Sequence, residues 1–226
     1  MKINFQNFLV IFLFSAVQIQ AQKIEISSGI NRNQFFSFQK SEGHQRHNFT
    51  SNFGYSIGAS FYNYTIDSMQ HRVSIRLDNY KGKFYSTSGA LGGSSSTEAE
   101  VEKTTIGIAY YPIIFNVVKK LQLNLGGEFS TLINSKTIGY KTYSGLVYIN
   151  NKSQIIENDS FKINSKNYWA INCLFVYDIK INKYWILTPQ LNLHLGVTND
   201  FKNVEANIKS FRQSALIGIV RNLNQK

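Results

Sequence analysis

Hydrophobic and polar residues alternate along much of the chain, and this period of two places successive side chains on opposite faces of an extended strand. The pattern is clearest in residues 53–61, 121–133 and 185–198. Five further segments fit it, at residues 23–36, 71–84, 103–112, 167–180 and 208–221. No stretch has a convincing helical period. The sequence therefore predicts about eight β-strands, each long enough to cross a hydrocarbon layer when tilted.

The connections between these segments alternate between long and short. Long ones include the Gly- and Ser-rich stretch from Tyr85 to Glu102 and the polar stretch from Asn134 to Lys166, whereas Lys180 to Lys183 is a short turn. Outer-membrane barrels have short turns at one end and longer loops at the other. The predicted fold class is therefore all-β, an antiparallel up-and-down transmembrane β-barrel of about eight strands with its long loops outside the cell.

Two of the predicted strands contain residues that depart from simple alternation. Pro189 falls inside a predicted strand, and because proline cannot donate to the ladder we expect a β-bulge or a loose register there. In the last segment, residues 215–220 are apolar on both faces, which leaves the orientation of that strand open.

Tyrosine and tryptophan cluster where the predicted strands end. Both residue types settle at membrane interfaces, where the ring is apolar and its polar edge stays in contact with water. The clustering could also reflect the general preference of aromatic residues for strands. The residues predicted at the membrane interfaces are Tyr110, Tyr111, Trp169, Tyr177, Tyr184 and Trp185.

The polar faces of the predicted strands carry charged side chains that would point into the barrel. An eight-stranded barrel has just enough interior for side chains to fill it, and a buried charge without a partner is costly. We therefore expect these charges to be paired, together with Glu25. The predicted polar network of the lumen consists of Arg72, Arg76, Glu128, Asp178 and His194.

The amino terminus has the layout of a secretory signal. Lys2 precedes an apolar run over residues 8–14, and small residues follow up to Ala21. The run is too short to cross a bilayer as a helix. We expect cleavage after Ala21, which divides the chain into a signal peptide (1–21) and an outer-membrane β-barrel domain (22–226). Cys173 is the only cysteine, so neither a lipid-modified cysteine at the cleavage site nor an intramolecular disulfide is expected.

Several short motifs carry a resemblance to a known group. They are Ser28-Gly29-Ile30-Asn31 in the first strand, Gly54-Tyr55-Ser56-Ile57-Gly58 in the second, and residues 123–128, Leu-Asn-Leu-Gly-Gly-Glu. With the signal ending Ala21-Gln22, the chain resembles the outer-membrane β-barrel proteins of the Bacteroidota, which look like the small OmpA and OmpX barrels and include PorT-like members. The resemblance implies an outer-membrane barrel over nearly all of the mature chain.

Composition and charge narrow the function. The net charge of +11 and the pI of about 9.6 could suit nucleic acid, an anionic membrane surface or acidic glycans. However, the basic residues are scattered, without the basic helix, zinc ligands or RNA-binding signature that nucleic-acid binding would need. His44 and His47 lie three apart, but no further ligand completes a metal site. We therefore expect no catalytic, cofactor-binding or metal-binding residues and no nucleic-acid partner.

The sequence leaves three functional hypotheses. The first is a non-enzymatic outer-membrane scaffold that contacts lipid and binds another envelope protein or a surface glycan through residues 134–166. The second is a lipid-modifying enzyme of the outer membrane, which would need His, Ser and an acid at the outer rim. The third is a secreted soluble barrel of the lipocalin kind, which would turn its apolar face inward.

Overall fold

The computed structural model describes residues 21–37, 46–64, 70–90, 93–145, 148–156, 164–201 and 207–223. The first twenty residues of the predicted signal peptide and His44 lie outside the described residues, and Ala21 is the first residue of a strand. Within the described ranges there is no helix that is long and apolar enough to cross a membrane. The strands are β1 (Ala21–Ser37), β2 (Arg46–Tyr64), β3 (Gln70–Ala90), β4 (Gly93–Val118), β5 (Leu121–Gly145), β6 (Tyr148–Ile156), β7 (Asn167–Tyr177), β8 (Ile179–Lys180), β9 (Trp185–Gly196) and β10 (Ile208–Asn222).

Eight of these strands close into a barrel. All neighbours pair antiparallel, in the order β1, β2, β3, β4, β5, β7, β9 and β10, and β10 pairs with β1 from Lys23↔Asn222 to Ser37↔Ile208. The short β8 adds to β9, and β6 pairs with β5 beyond the barrel. The predicted fold class, an eight-stranded antiparallel β-barrel, is confirmed.

The hydrogen-bond register shows that the strands are tilted. Leu195 pairs with Phe211 on β10 and through it with Gln34 on β1. In the other direction around the barrel, successive paired residues on β7, β5, β4, β3 and β2 connect Leu195 to Ile24 on β1. The two routes reach positions on β1 that are ten residues apart. Such a stagger requires strands inclined to the barrel axis, and with eight strands it leaves an interior wide enough only for side chains.

Alternate residues of each strand point into this lumen. On β9 the even-numbered residues from Ile186 to Gly196 are buried and the odd-numbered ones are partly or fully exposed. The last strand, left open by the sequence, follows the same rule, because Leu216 and Val220 face inward whereas Ile217 and Ile219 face outward. The barrel is therefore polar on most of its inner face and apolar on its outer face.

Two stretches predicted to be long loops are mostly strands in their described parts, so the prediction of loops there was wrong. Tyr85 to Glu102 lies mostly in the β3–β4 hairpin, and Asn134 to Lys166 contains the end of β5 and all of β6. Beyond the pairs Asn33↔Asn52 and Thr131↔Asn167, which end the closed barrel on either side, β2 to β6 continue as an open sheet. We name this part the projecting sheet; it comprises residues 46–51, 81–90, 93–102, 134–145 and 148–156.

Two cross-strand ion pairs lie at the base of the β3–β4 hairpin, next to its Gly- and Ser-rich part. Lys81 lies 3.2 Å from Glu102, and Lys83 lies 3.4 Å from Glu100, in each case between directly paired residues of β3 and β4. Opposite charges in such positions stabilise a sheet. The amide of Asn79 donates a hydrogen bond to Glu102 and, with Lys81, lowers the pKa of that carboxyl.

Pro189 causes no bulge, so that prediction was wrong. β9 pairs with β10 through Pro189↔Ile217 without a register shift. The pairing is interrupted on the other side of β9 instead. β7 stops pairing with β9 after Val176, and the pairing resumes in β8 in the same register. The gap includes Tyr177, the residue opposite the proline. The missing amide donor of proline is accommodated by this interruption.

Because the barrel is closed, we predict that its migration in gel electrophoresis depends on whether the sample is heated. A closed antiparallel barrel has no free edge from which detergent can unzip it. The purified protein should migrate faster in SDS gel electrophoresis when it is not heated, and at its unfolded position after boiling. Identical migration with and without heating, for a sample that is folded by circular dichroism, would contradict a closed barrel.

Candidate functional site in the barrel lumen

Charged side chains fill much of the lumen, and their charges cancel. Each of eight such residues in the described part of the chain is at most 6% exposed. The net charge of +11 is therefore carried by the rest of the chain. The cations are Arg72, Arg76, Lys103 and Arg212, and the anions are Glu25, Asp78, Glu128 and Asp200.

The first group of contacts lies toward the end of the barrel with the short turns. Arg72 on β3 is 2.5 Å from the carboxylate of Glu25 on β1 and donates a hydrogen bond to the Ser60 hydroxyl on β2 (2.8 Å). The Tyr62 hydroxyl donates a second hydrogen bond to Glu25 (2.7 Å), and its ring lies 4.8 Å from the Arg72 guanidinium. This group joins three adjacent strands across the lumen wall.

Glu128 on β5 is at the centre of the second group. Its carboxylate forms an ion pair with Arg76 on β3 and accepts a hydrogen bond from the Asn172 amide on β7 (2.8 Å). The guanidinium of Arg212 on β10 lies 3.7 Å from the same carboxylate. A single carboxylate thus connects four strands that do not all neighbour one another in the sheet.

Arg212 extends this second group to two further side chains. It donates a hydrogen bond to Asp78 on β3 (2.9 Å) and contacts the imidazole of His194 on β9 at 2.6 Å. Because a guanidinium only donates, the imidazole nitrogen accepts this bond. The ring of Tyr80 packs against the guanidinium at 4.5 Å. The arginine side chain is therefore enclosed by partners on β3, β5 and β9.

Glycines make room for the central arginine. Gly58 on β2 and Gly107 on β4 are the direct cross-strand neighbours of Arg76. A Cβ atom at Gly58 would lie 2.9 Å from Cγ of Arg76, and one at Gly107 would lie 2.8 Å from a carboxylate oxygen of Glu128. Larger residues on the flanking strands would displace the Arg76–Glu128 pair.

The third group closes the opposite end of the lumen. Lys103 on β4 donates hydrogen bonds to the backbone oxygen (2.8 Å) and the carboxylate (3.2 Å) of Asp200, which follows β9. The ammonium group also lies 4.0 Å from the ring centre of Phe201, and Phe201 packs on Phe35 at 5.2 Å. The Asp200 amide donates to the backbone oxygen of Ile208 (2.8 Å). The segment that follows β9 is thereby folded into the mouth of the barrel.

The lumen residues predicted from the sequence do not all lie in these groups. Arg72, Arg76, Glu128 and His194 are buried inside the barrel. Asp178 is only half-buried, at the short-turn end, where it lines a cavity of about 10 Å³ with Lys23, Tyr62, Gln122, Ile186 and Val220. That volume suffices for about one water molecule.

Four charged residues of the lumen were missed by the sequence reasoning. Asp78 and Arg212 carried a usable signal, since each falls on the polar face of its strand beside other polar residues. Lys103 is the first residue of a predicted strand and Asp200 lies in a predicted connection. No local pattern indicates that these two residues, 97 positions apart, form an ion pair.

The predicted interface aromatics divide between the two faces. Tyr110, Trp169, Tyr177, Tyr184 and Trp185 face outward and are 39–56% exposed. Tyr111 does not belong to this set, so its assignment to a membrane interface was wrong. It is fully buried in the lumen and packs with Ala109, Leu174 and Val176. Successive residues of a strand face opposite sides, so Tyr110 and Tyr111 cannot both point outward.

The arrangement favours a structural role for the lumen. No group of three or more potential metal-ligating side chains occurs within the described segments. The one histidine of the network, His194, contacts Arg212 and lies 3.6 Å from Glu128, so it sits among ion pairs in the interior and not beside an exposed nucleophile. The chemistry present is that of an electrostatic network that joins the barrel wall from side to side.

The similarity of this chain to known proteins concerns the fold alone. No protein-family model matches the sequence, and no curated protein matches it. Among solved structures the chain is similar to Ail, the attachment invasion locus protein of Yersinia pestis (9% identity, 89% of this chain and 98% of that one, TM-score 0.36). It is also similar to Neisserial surface protein A (12%, 88% and 97%, TM-score 0.39) and to the outer membrane protein OprG from Pseudomonas aeruginosa (12%, 91% and 98%, TM-score 0.37). At these identities and TM-scores the likeness carries nothing about ligands or activity.

The central ion pairs predict a large difference between two Glu→Gln variants. Glu128→Gln removes the charge that Arg76 and Arg212 share inside the lumen, which should cost roughly 3–5 kcal/mol of unfolding free energy. Glu100→Gln on the projecting sheet removes a half-exposed partner of Lys83 and should cost about 0–1 kcal/mol. Denaturant unfolding of the refolded barrel in detergent measures both values. Equal, small losses would contradict a desolvated network.

Proposed function

We propose that this chain is a non-enzymatic β-barrel of the outer membrane of a Gram-negative envelope, exported by a cleaved signal peptide. On this proposal the projecting sheet binds a partner at the cell surface, either another envelope protein or a glycan. Membership of the Bacteroidota barrels with PorT-like proteins is part of the proposal and rests on the sequence motifs given above.

The outward-facing apolar side chains are the observation that carries the membrane placement. Ile30, Ile171 and Ile217, on three different strands, are 60%, 58% and 61% exposed, while the eight charged residues of the lumen lie inside. Soluble monomers rarely expose contiguous apolar surface of more than a few hundred Å². In a bilayer the same distribution is favourable, because hydrocarbon replaces water against the apolar face.

The apolar outer face has the height of a membrane core. On β9 the outward positions run from Trp185 to Leu195. At about 3.4 Å per residue and a tilt of about 40°, these positions span roughly 25 Å along the barrel axis, the height of the apolar band of outer-membrane barrels. Exposed tyrosine and tryptophan lie near both limits, Trp185 at one end and Trp169 toward the other.

The two alternative hypotheses find less support. A lipocalin-like barrel would have an apolar interior, whereas this lumen contains four buried cations and four buried carboxylates. A lipid-modifying enzyme would present His, Ser and an acid at the outer rim. His194 is instead bound within the lumen, and no observation on the described residues favours this activity.

The projecting sheet supports the binding role by its position and its outer surface. It continues from the barrel strands and therefore rests on a rigid frame, which is a common way to present a recognition surface. Tyr85, Glu98 and Tyr140 are directly paired neighbours on β3, β4 and β5, and Ile138 is close by on β5. The two tyrosines and the isoleucine are 40%, 55% and 52% exposed. An exposed surface with this mix of aromatic, apolar and acidic groups suits a protein or a glycan.

Two Ile→Arg variants test the membrane placement. Ile217→Arg puts a charge on the outer face near mid-height of the apolar belt, and at the bilayer midplane this should cost roughly 2–4 kcal/mol and lower the yield of folded protein in the outer membrane. Ile138→Arg changes an equally exposed isoleucine on the projecting sheet, opposite Glu100, and should be tolerated. The measurement is folding efficiency into lipid vesicles with outer-membrane fractionation. If both variants fold and fractionate like the parent, the belt does not contact lipid.

The binding role is tested by a photoreactive amino acid in place of Tyr140 or of Tyr177. Both tyrosines face outward, but Tyr140 is on the projecting sheet and Tyr177 is near the short turns. Irradiation of intact cells should give one defined protein or glycan adduct from position 140 and only lipid adducts from position 177. The absence of any adduct at position 140 under conditions that give lipid adducts at position 177 would contradict a partner on the projecting sheet.

A further inference from the structure

At the short-turn end of the barrel, the fully exposed charged side chains among the described residues are all cations, whereas the opposite end carries both cations and carboxylates. Two acidic residues lie at this end among the described residues: Asp178 is half-buried, and Glu25 is fully buried in its ion pair with Arg72. On the outer surface of the described chain, the acidic residues Glu98, Glu100 and Glu102 are on the projecting sheet at the other end. We name the cationic set the basic rim; its exposed members are Lys119, Lys120, Lys180, Lys183 and Arg221.

Backbone hydrogen bonds hold the three parts of the basic rim together. The amide of Asp178 donates to the backbone oxygen of Lys120 (2.8 Å), which joins the β4–β5 turn to the end of β7. The amide of Asn222 donates to the backbone oxygen of Tyr184 (2.9 Å), and its side chain donates to that of Lys183 (3.1 Å). These contacts join β10 to the turn before β9. The rim is thus one surface along an arc of the barrel from β4 to β10.

Two of the cations lie against aromatic rings at the edge of the apolar belt. The guanidinium of Arg221 is 5.6 Å from the ring of Trp185, its direct neighbour on β9, and the ammonium group of Lys183 is 4.7 Å from the ring of Tyr184. Ile219, two residues from Arg221 on the same face, is half exposed and part of the belt. Interface aromatics sit at the level of lipid headgroups, so these cations lie at the depth of the phosphate groups.

We infer that the basic rim binds the phosphate groups of anionic phospholipids in the leaflet at the short-turn end. The inference rests on the membrane placement proposed above. Several lysine and arginine side chains near a membrane surface attract anionic lipid, and the effect weakens with salt. An acidic protein could also be attracted by this charge. Lipid is favoured because Arg221 and Lys183 are held against aromatic rings at the edge of the apolar belt.

The two tryptophans of the chain provide a local test. Trp185 is at the basic rim and Trp169 is toward the opposite end, and both face outward. Trp169→Phe and Trp185→Phe variants each leave one reporter. They are reconstituted into vesicles of phosphatidylcholine and phosphatidylglycerol in equal parts, with one lipid at a time brominated in its acyl chains. Quenching by each brominated lipid then reports which lipid is next to each tryptophan.

The expected result is a preference of at least about fivefold for phosphatidylglycerol around Trp185, which decreases in high salt, with a smaller preference around Trp169. Lys180→Gln with Lys183→Gln should reduce the preference at Trp185. The matched double variant Lys81→Gln with Lys83→Gln, on the projecting sheet, should leave it unchanged. Equal quenching of Trp185 by both lipids, or a preference that survives Lys180→Gln with Lys183→Gln, would overturn the inference and favour an acidic protein at the rim. Absence of quenching at both tryptophans would refute the membrane placement itself.

Discussion

Closure of an eight-stranded sheet is the constraint on which the rest of this structure depends. Closure sends every second side chain of each strand into a lumen that has room for side chains and little else. Charged groups placed there lose most of their hydration, and they are tolerated only when partners replace it. The four buried cations and four buried carboxylates meet this requirement in three groups, of which the one around Glu128 reaches four strands.

The alternation of side chains along each strand also determines which residues form the outer surface. Because the polar positions are used inside, the remaining positions form an apolar belt around the barrel, and a belt of this kind is unfavourable in water. The two ends then differ. At one end the Asp200–Phe201 segment fills the mouth and the projecting sheet extends beyond it, and at the other end short turns carry exposed lysines. The barrel thus ends in the projecting sheet on one side and in turns with exposed lysines on the other, and a closed interior of ion pairs lies between them.

Much of the fold could be predicted from the sequence, because the alternation of residues such as those in 121–133 is a local signal of strand position and facing. The projecting sheet could not, since glycine and serine have weak strand preference and its strands pair residues that are separated in the sequence, such as Lys83 with Glu100 and Glu98 with Tyr140. The Lys103–Asp200 contact is equally non-local. Tyr111 was misplaced because clustering by residue type was given more weight than alternation. The bulge predicted at Pro189 is absent because the proline is accommodated by an interruption of pairing in the neighbouring strand.

On the proposed membrane placement, the outer face of the barrel contacts hydrocarbon while the projecting sheet contacts water. The most direct measurement is the accessibility of a nitroxide spin label in vesicles, at Leu191→Cys on the belt and at Tyr140→Cys on the projecting sheet, with Cys173→Ser removing the natural thiol. We expect oxygen, which concentrates in hydrocarbon, to relax the label at position 191, and a water-soluble nickel complex to relax the label at position 140. Relaxation of the label at position 191 by the nickel complex, to the same degree as at position 140, would contradict this placement.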